Sequence, residues 1–149
     1  MSEVTVRRLV SGDDALARET FATIARIFEN EVGALSARYV QGLLRRGDFW
    51  AYAAVRDAVV VGGLTAYTLP LTRVEESEVF IYDIAVDPSV QRQGIGRRLV
   101  EALRRDAAAE DIAVIFVPAD NEDTHALDFY QALGGDAAPV TIFTFGGAT

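Results

Sequence analysis

The chain has 149 residues, a net charge of −8 and a hydrophobic share of 50%, and it contains no Cys and a single His. This length predicts one domain over residues 1–149 with a substantial core, and the acidic balance argues against nucleic acid as a partner. All 14 basic residues are Arg, so the composition excludes disulfides, thiolate nucleophiles, Schiff-base lysines and histidine-cluster metal sites.

The first half of the chain predicts a strand, two helices and a hairpin. Residues 3–9 are typical of a short strand, and residues 11–14 carry a helix-start signal that is followed by apolar residues at helical spacing. A second helix is predicted over about 34–46. Strands are expected at 49–56 and 59–69, joined by a tight turn near Asp57.

The second half predicts alternating strands and helices after a polar loop at 71–77. The predicted elements are a strand at 78–86, a helix at 94–108, a strand at 112–117, a helix at 122–133 and a last strand at Val140–Phe145. This order indicates an α/β domain, in which helices cover both faces of a mixed sheet.

The charges of the second half are segregated. Its five arginines lie within residues 92–105, whereas its acidic residues extend over the whole segment. An anionic cofactor held beside a site for a cationic substrate would explain this basic island, and a solvated amphipathic helix is the alternative. Because no apolar stretch is long enough to span a membrane and no secretion signal is visible, we expect a cytoplasmic protein that does not contact membranes.

The segment Gln91-Arg92-Gln93-Gly94-Ile95-Gly96 places two glycines between a strand and an amphipathic helix. The free N–H groups of a helix N-terminus bind phosphate, and glycines let the ligand approach the backbone. A dinucleotide fingerprint is excluded because Leu99 occupies the third glycine position, and a P-loop is excluded because the lysine is missing. The alternative is that the glycines serve only helix–sheet packing.

This segment resembles the acyl-CoA pyrophosphate loop of the GNAT acyltransferase superfamily, and the likeness covers nearly the whole chain. Ile84-Ala85-Val86 is similar to the family's fourth strand, and Phe129-Tyr130-Gln131-Ala132-Leu133-Gly134 to its C-terminal element. Segments such as Ser77–Val86 and Ala119-Asp120 most resemble the type I subfamily of aminoglycoside 3-N-acetyltransferases. The resemblance implies the single-domain GNAT fold, a mostly antiparallel sheet whose strands four and five splay apart for acyl-CoA.

The resemblance also implies a set of contacts with acetyl-CoA. The diphosphate would lie on the amides of Gln91, Arg92, Gln93, Gly94, Ile95, Gly96 and Arg97. Pantetheine would pair along Ile84, Ala85 and Val86 as an added strand, with a backbone N–H near Val86 polarising the thioester carbonyl. Asn121, Ala126, Phe129 and Tyr130 would line the thiol end.

Tyr130 is the candidate general acid, because a phenol can donate a proton to the departing CoA thiolate. The alternative is a ring packed in the core. The single His125 stands where the subfamily more often has Pro, and it is not assigned to catalysis.

Asp83 is the candidate general base. It interrupts the apolar run of residues 79–86, where an unpaired carboxylate is costly to bury unless it faces a cleft. In a cleft it could bind an ammonium group and accept its proton, directly or through water. The alternative is a structural partner for an arginine or a backbone amide.

Further acidic groups lie at residues 75–78 and 120–123. They could be solvated, and Asn121 or Asp123 could cap the next helix. If strands four and five are neighbours, these groups gather with Asp83 around one cleft that favours a polycation. The substrate contacts expected are Glu78, Tyr82, Asp83, Asp120 and Asp123.

The chain is therefore expected to transfer an acetyl group from acetyl-CoA directly to an amine, most specifically the 3-amino group of an aminoglycoside. Such an enzyme would confer antibiotic resistance, and we expect it to be a homodimer that needs no metal. A different amine, such as a polyamine, an amino-sugar metabolite or a protein N-terminus, is the alternative acceptor. A non-catalytic acyl-CoA-binding module is the alternative of another class.

Overall fold

The computed structural model describes residues 3–30 and 33–147. Its helices are α1 (Asp14–Ile27), α2 (Ala37–Arg45), α3 (Ile95–Ala109) and α4 (Thr124–Ala132). Its strands are β1 (Thr5–Leu9), β2 (Phe49–Arg56), β3 (Val59–Pro70), β4 (Ser77–Val86) and β5 (Val114–Phe116). None of the helices in the described residues is both long and apolar enough to span a bilayer.

The five strands form one sheet in the order β1-β2-β3-β4-β5. The first three pairings are antiparallel and the last, between β4 and β5, is parallel. Asp57 and Ala58 join β2 to β3 with positive φ angles of 52° and 63°, as a two-residue hairpin turn requires. The predicted α/β class and mixed, mostly antiparallel sheet are confirmed.

Alternation along β2 shows that helices cover both faces of the sheet. Phe49, Ala51 and Ala53 belong to a core cluster with residues of α1 and α2. The intervening Tyr52 is buried on the opposite face, where its hydroxyl donates a 2.6 Å hydrogen bond to Asp106 of α3. Successive strand residues point to opposite faces, so α1 and α2 cover one face and α3 covers the other.

Glycine at position 63 allows α1 to lie close to the sheet. A Cβ built there would approach Thr20 Cγ2 to 2.6 Å and Ile24 Cδ1 to 3.0 Å. Both neighbours are buried residues of α1. Any larger side chain at 63 would therefore push α1 away from β3.

The chain forms two compact units, Met1–Pro118 and Ala119–Thr149, and the prediction of a single domain stays a prediction. The prediction of a last strand at Val140–Phe145 is wrong: no strand forms there in the described residues. Val140, Ile142, Phe143 and Phe145 are 68–93% exposed. Alternation alone does not make a strand, which needs hydrogen bonds to a partner. The strand predicted at 112–117 is shorter, Val114–Phe116.

Candidate functional site

The N-terminus of α3 presents an open backbone loop. Gly94 is the N-cap residue in the left-handed conformation, with φ 78° and no side-chain cap. Arg92 also has a positive φ, 67°, and residues 91–94 are exposed. A Cβ added at Gly94 would meet no atom within 4 Å. The space beside the N-cap residue is therefore open, and the first N–H groups of α3 are donors without intrahelical acceptors.

Side chains hold this loop against the sheet. Gln91 Nε2 donates a 3.1 Å hydrogen bond to the Val86 carbonyl oxygen, and Arg56 donates to the side-chain oxygen of Gln93 at 3.2 Å. Asp87 Oδ1 accepts hydrogen bonds from the backbone N–H and the hydroxyl of Ser89, which lower the pKa of this carboxyl. The loop is thus fixed at both ends. Of its amides, the Gln91 N–H already donates a 3.5 Å hydrogen bond to the Pro88 carbonyl oxygen.

Beyond the loop, α3 carries Arg97 and Arg98 in its first turn. Arg97 Nη1 lies 3.9 Å from Glu101 Oε1, and Arg98 donates to the Val4 carbonyl oxygen. Arg98 is thereby tied to the residue preceding β1. Arg97, in contrast, is a surface residue whose weak ion pair leaves it available to an anion.

A β-bulge at Tyr82 determines where Asp83 points. Thr65 of β3 pairs with Asp83, whereas Ala66 pairs with Ile81, so Tyr82 is an extra residue on β4. One extra residue reverses the alternation that follows it. Asp83 therefore shares a face with Thr65 and its β2 partner Ala51, which is the face covered by α1 and α2.

A cavity of about 330 Å³ opens on this face. Helix α1 and the segment after it, α2, and strands β2, β3 and β4 all contribute to its wall. Among the described lining residues, Asp83 has the only charged side chain, and six others are aromatic. These six are Phe21, Phe28, Tyr39, Phe49, Tyr67 and Tyr82.

The environment of Asp83 raises its pKa. Burial is the larger effect, because it penalises the charged carboxylate. A hydrogen bond from the Thr65 side chain acts in the opposite direction and favours the charged form. Burial likewise raises the pKa of the neighbouring Tyr67, which keeps its hydroxyl protonated. Asp83 is thus a carboxyl group with a raised pKa in the wall of a cavity.

Strands β4 and β5 separate beside the cavity. Their parallel pairing covers Glu78–Phe80 and Val114–Phe116, and within the described residues it does not extend to Ile81–Val86 of β4. The predicted splay is confirmed. In the part of the chain that the structure describes, Ile84, Ala85 and Val86 pair with β3 but not with β5. The Val86 carbonyl oxygen already accepts from Gln91, and the rest of this edge could pair with an extended ligand.

The second unit contains α4 with its own capping. Asp123 is the N-cap residue and accepts a 3.0 Å hydrogen bond from the Ala126 N–H, which confirms the capping alternative for this residue. Asp120 accepts at 2.9 Å from the Glu122 N–H. Both carboxylates therefore stabilise the local backbone. Phe129 and Tyr130 are neighbours on α4, with ring centroids 5.2 Å apart.

The structure brings together only part of the predicted site. Asp83 and Tyr82 line one cavity, whereas Glu75, Glu76 and Glu78 are not among its described lining residues. Asp120, Asn121, Asp123 and Tyr130 belong to the second unit. Apart from Tyr82, the aromatic wall was not predicted, because its residues come from several elements and looked like ordinary core positions. In the described residues no group of His, Asp and Glu is arranged to hold a metal.

An uncapped helix N-terminus, a splayed strand pair and a cavity with one carboxylate in its wall are the features of an acyl-group transferase of the GNAT class. The family model described as "Acetyltransferase (GNAT) family" matches residues 18–135. The chain belongs to this family.

Relatives of known structure extend the comparison. An aminoglycoside acetyltransferase, HMB0005, from an uncultured soil metagenomic sample is 34% identical with a TM-score of 0.92, covering 98% of this chain and 99% of that one. A second soil enzyme, meta-AAC0020, solved with sisomicin, is 28% identical with a TM-score of 0.90, covering 98% and 97%.

A curated relative has a different named acceptor. The [ribosomal protein bS18]-alanine N-acetyltransferase of Escherichia coli K12 is 32% identical over 79 residues, which are 53% of this chain. The match spans only 52% of the length of that enzyme.

Proposed function

We propose that the protein is an acetyl-CoA-dependent N-acetyltransferase whose acceptor is an amine of an aminoglycoside, with the 3-amino group as the acetylated position. The observation that carries this proposal is Asp83, a carboxylate in the wall of a cavity beside the splayed edge of β4. The aminoglycoside class is supported by the two soil enzymes, each of which covers nearly the whole chain.

The residues present fit acetyl-CoA. The amides that follow Gly94, and the space in front of them, suit a diphosphate, since a helix N-terminus attracts anions. The amides of Gln91, Arg92, Gln93, Ile95, Gly96 and Arg97 are assigned to the same group. The unpaired edge at Ile84–Val86 suits the amide-bearing pantetheine arm.

When bound, acetyl-CoA supplies an acyl carbon that accepts the amine and a thiolate leaving group. Asp83 accepts a proton from the acceptor ammonium, directly or through one water, which frees the nitrogen lone pair for attack. The new C–N bond replaces the C–S bond. Tyr130 is assigned as the donor of the proton that the thiolate receives, and the second proton, which the nitrogen loses once the C–N bond has formed, restores the Tyr130 hydroxyl. Asn121, Ala126 and Phe129 are assigned to the thiol end.

A thiol-release panel tests the proposal. Aminoglycosides, spermidine, an amino sugar and a peptide beginning with Ala are each assayed with acetyl-CoA, and the products are located by NMR. We expect thiol release with the aminoglycosides and acetylation at the 3-amino position. Acetylation at another position would contradict the assignment to the 3-amino group but not the aminoglycoside acceptor class. Preference for the peptide, in line with the E. coli relative, would replace the acceptor class, and CoA binding without transfer to any amine would indicate a binding module.

Tyr130→Phe tests the general acid. The variant removes one hydroxyl and keeps the ring that contacts Phe129, so we expect kcat to fall by about 10²-fold or more. The Kd for CoA, measured by calorimetry, should match that of the unchanged protein. Unchanged kcat would remove Tyr130 from the mechanism.

A further inference from the structure

A continuous row of aromatic rings leads from the cavity to the edge of the sheet. Ring centroids of Phe49 and Tyr67 lie 5.3 Å apart, and those of Tyr67 and Tyr82 lie 6.1 Å apart. Tyr82 then stacks on Phe80 at 5.6 Å, and Phe80 lies 5.0 Å from Phe116 on β5. The row thus leaves the cavity at Tyr82 and continues across β4 to the outermost strand.

The outer part of this row, which we call the aromatic shelf, consists of Tyr82, Phe80 and Phe116. Tyr82 is 65% exposed, Phe116 is 38% exposed and Phe80 is half-buried. Phe80 pairs in register with Tyr67 on one side and Phe116 on the other, so the shelf lies on the same face as the cavity. Contiguous exposed apolar surface of this kind marks interaction sites, and ligand-binding grooves are one class of them.

The charges near the shelf are sparse and lie toward its two ends. Asp83 follows Tyr82 at the cavity end. Glu78 lies two residues before Phe80, hence on the same face, and pairs in register with Leu69 and Val114. At about 3.3 Å per strand residue, Asp83 and Glu78 are roughly 15 Å apart along β4. Between these two carboxylates the same face of the sheet presents the aromatic rings of Tyr82, Phe80 and Phe116.

We infer that the aromatic shelf is a subsite for a second ring of the acceptor, whose apolar face stacks on Phe80 and Phe116 while the reacting amine lies at Asp83. This inference rests on the proposed function and adds to it the shape of the acceptor. Aromatic rings stack on the C–H face of a saturated ring, and they are tolerant of the substituents at its rim. A polycation without rings would leave the shelf unused.

Kinetics with a large and a small acceptor test the shelf. KM and kcat are measured for sisomicin, which has several rings, and for 2-deoxystreptamine, which has one, using Phe116→Ala and Phe116→Leu. For sisomicin we expect Phe116→Ala to raise KM by about 2- to 10-fold with kcat retained, and Phe116→Leu to lie between. The KM for 2-deoxystreptamine should not change. Val10→Ala, which trims an exposed apolar side chain just after β1 on the opposite edge strand, is the matched control.

The outcomes separate this inference from the proposed function. An equal rise of KM for both acceptors, or no rise for sisomicin, overturns the shelf while leaving the acetyltransferase in place. A change in molecular mass on light scattering for Phe116→Ala would make the shelf an interface between copies, which also overturns the subsite. Failure of the unchanged protein to acetylate any ring-bearing amine, with spermidine or peptide accepted instead, overturns both.

Discussion

Replacing Asp83 by Asn is expected to lower kcat/KM for the amine acceptor by about 10²- to 10⁴-fold, the usual contribution of a positioned general base. The amide keeps the size of the carboxylate and can still accept a hydrogen bond from Thr65, but it cannot take the proton of an ammonium group. The Kd for CoA should be unchanged, because the loop assigned to the diphosphate lies elsewhere, at the start of α3. Steady-state kinetics and calorimetry measure the two quantities.

The same substitution should not destabilise the fold. Burial raises the pKa of Asp83 in the folded state, so the folded protein holds this proton more tightly than the unfolded chain does. The resulting stabilisation is present below the unfolded pKa of about 3.9 and is lost as the pH rises through the folded value. At pH 7.5 the Tm of Asp83→Asn should therefore equal or exceed that of the unchanged protein, and the difference should shrink toward pH 4.

Thr65→Val supplies the matched test of the base. It keeps the shape of residue 65 and the carboxylate of Asp83 but removes the hydrogen bond that favours the charged form. The pKa of Asp83 should rise further, which moves the acidic limb of the kcat/KM profile to higher pH. A limb that stays in place, or moves to lower pH, would contradict the assignment of that limb to Asp83. Full activity of Asp83→Asn would contradict the base itself.

Much of the fold could be predicted from local sequence patterns. The strand at 49–56 and the helix starting near Asp14 were predicted closely because alternation, periodicity and turn residues all agreed there. The hairpin at Asp57 and the glycine-containing loop at 91–96 could also be predicted, since each depends on a few consecutive residues. The strand predicted at Val140–Phe145 does not form, which shows where such patterns stop being sufficient. Alternation indicates which residues would share a face, but it does not supply the neighbouring strand that must pair with them.

The cavity could not have been predicted in this way. The side chain of Asp83 faces the cavity because of the bulge at Tyr82. This bulge is a property of the pairing with β3, and the pattern of apolar residues in β4 does not reveal it. Strict alternation from Phe80 would place Asp83 on the α3 face, among buried residues. The sequence therefore indicated that Asp83 is costly to bury, while only the register explains how the chain avoids that cost.

Gly94→Ala is expected to weaken CoA binding by about 10- to 100-fold, which corresponds to losing about 1.5–3 kcal/mol of hydrogen bonding to a charged group. Gly94 directly precedes the α3 amides assigned to the diphosphate, and a Cβ there would meet no protein atom within 4 Å, so it would crowd the ligand and not the protein. A diphosphate would have to withdraw from those N–H groups, and its hydrogen bonds would lengthen. Calorimetric titration with CoA measures the change.

Backbone strain must be separated from this loss, because alanine at φ 78° costs about 1–2 kcal/mol wherever it occurs. Gly12 offers the control, since it also has a positive φ, 101°, and a Cβ there would likewise meet nothing within 4 Å. It lies in the turn before α1, apart from the residues assigned to CoA. Both alanine variants should lose similar stability in thermal unfolding, but only Gly94→Ala should lose affinity for CoA. Equal affinities in the two variants would mean that the amides at the start of α3 do not hold the diphosphate, and the coenzyme assignment would fall with them.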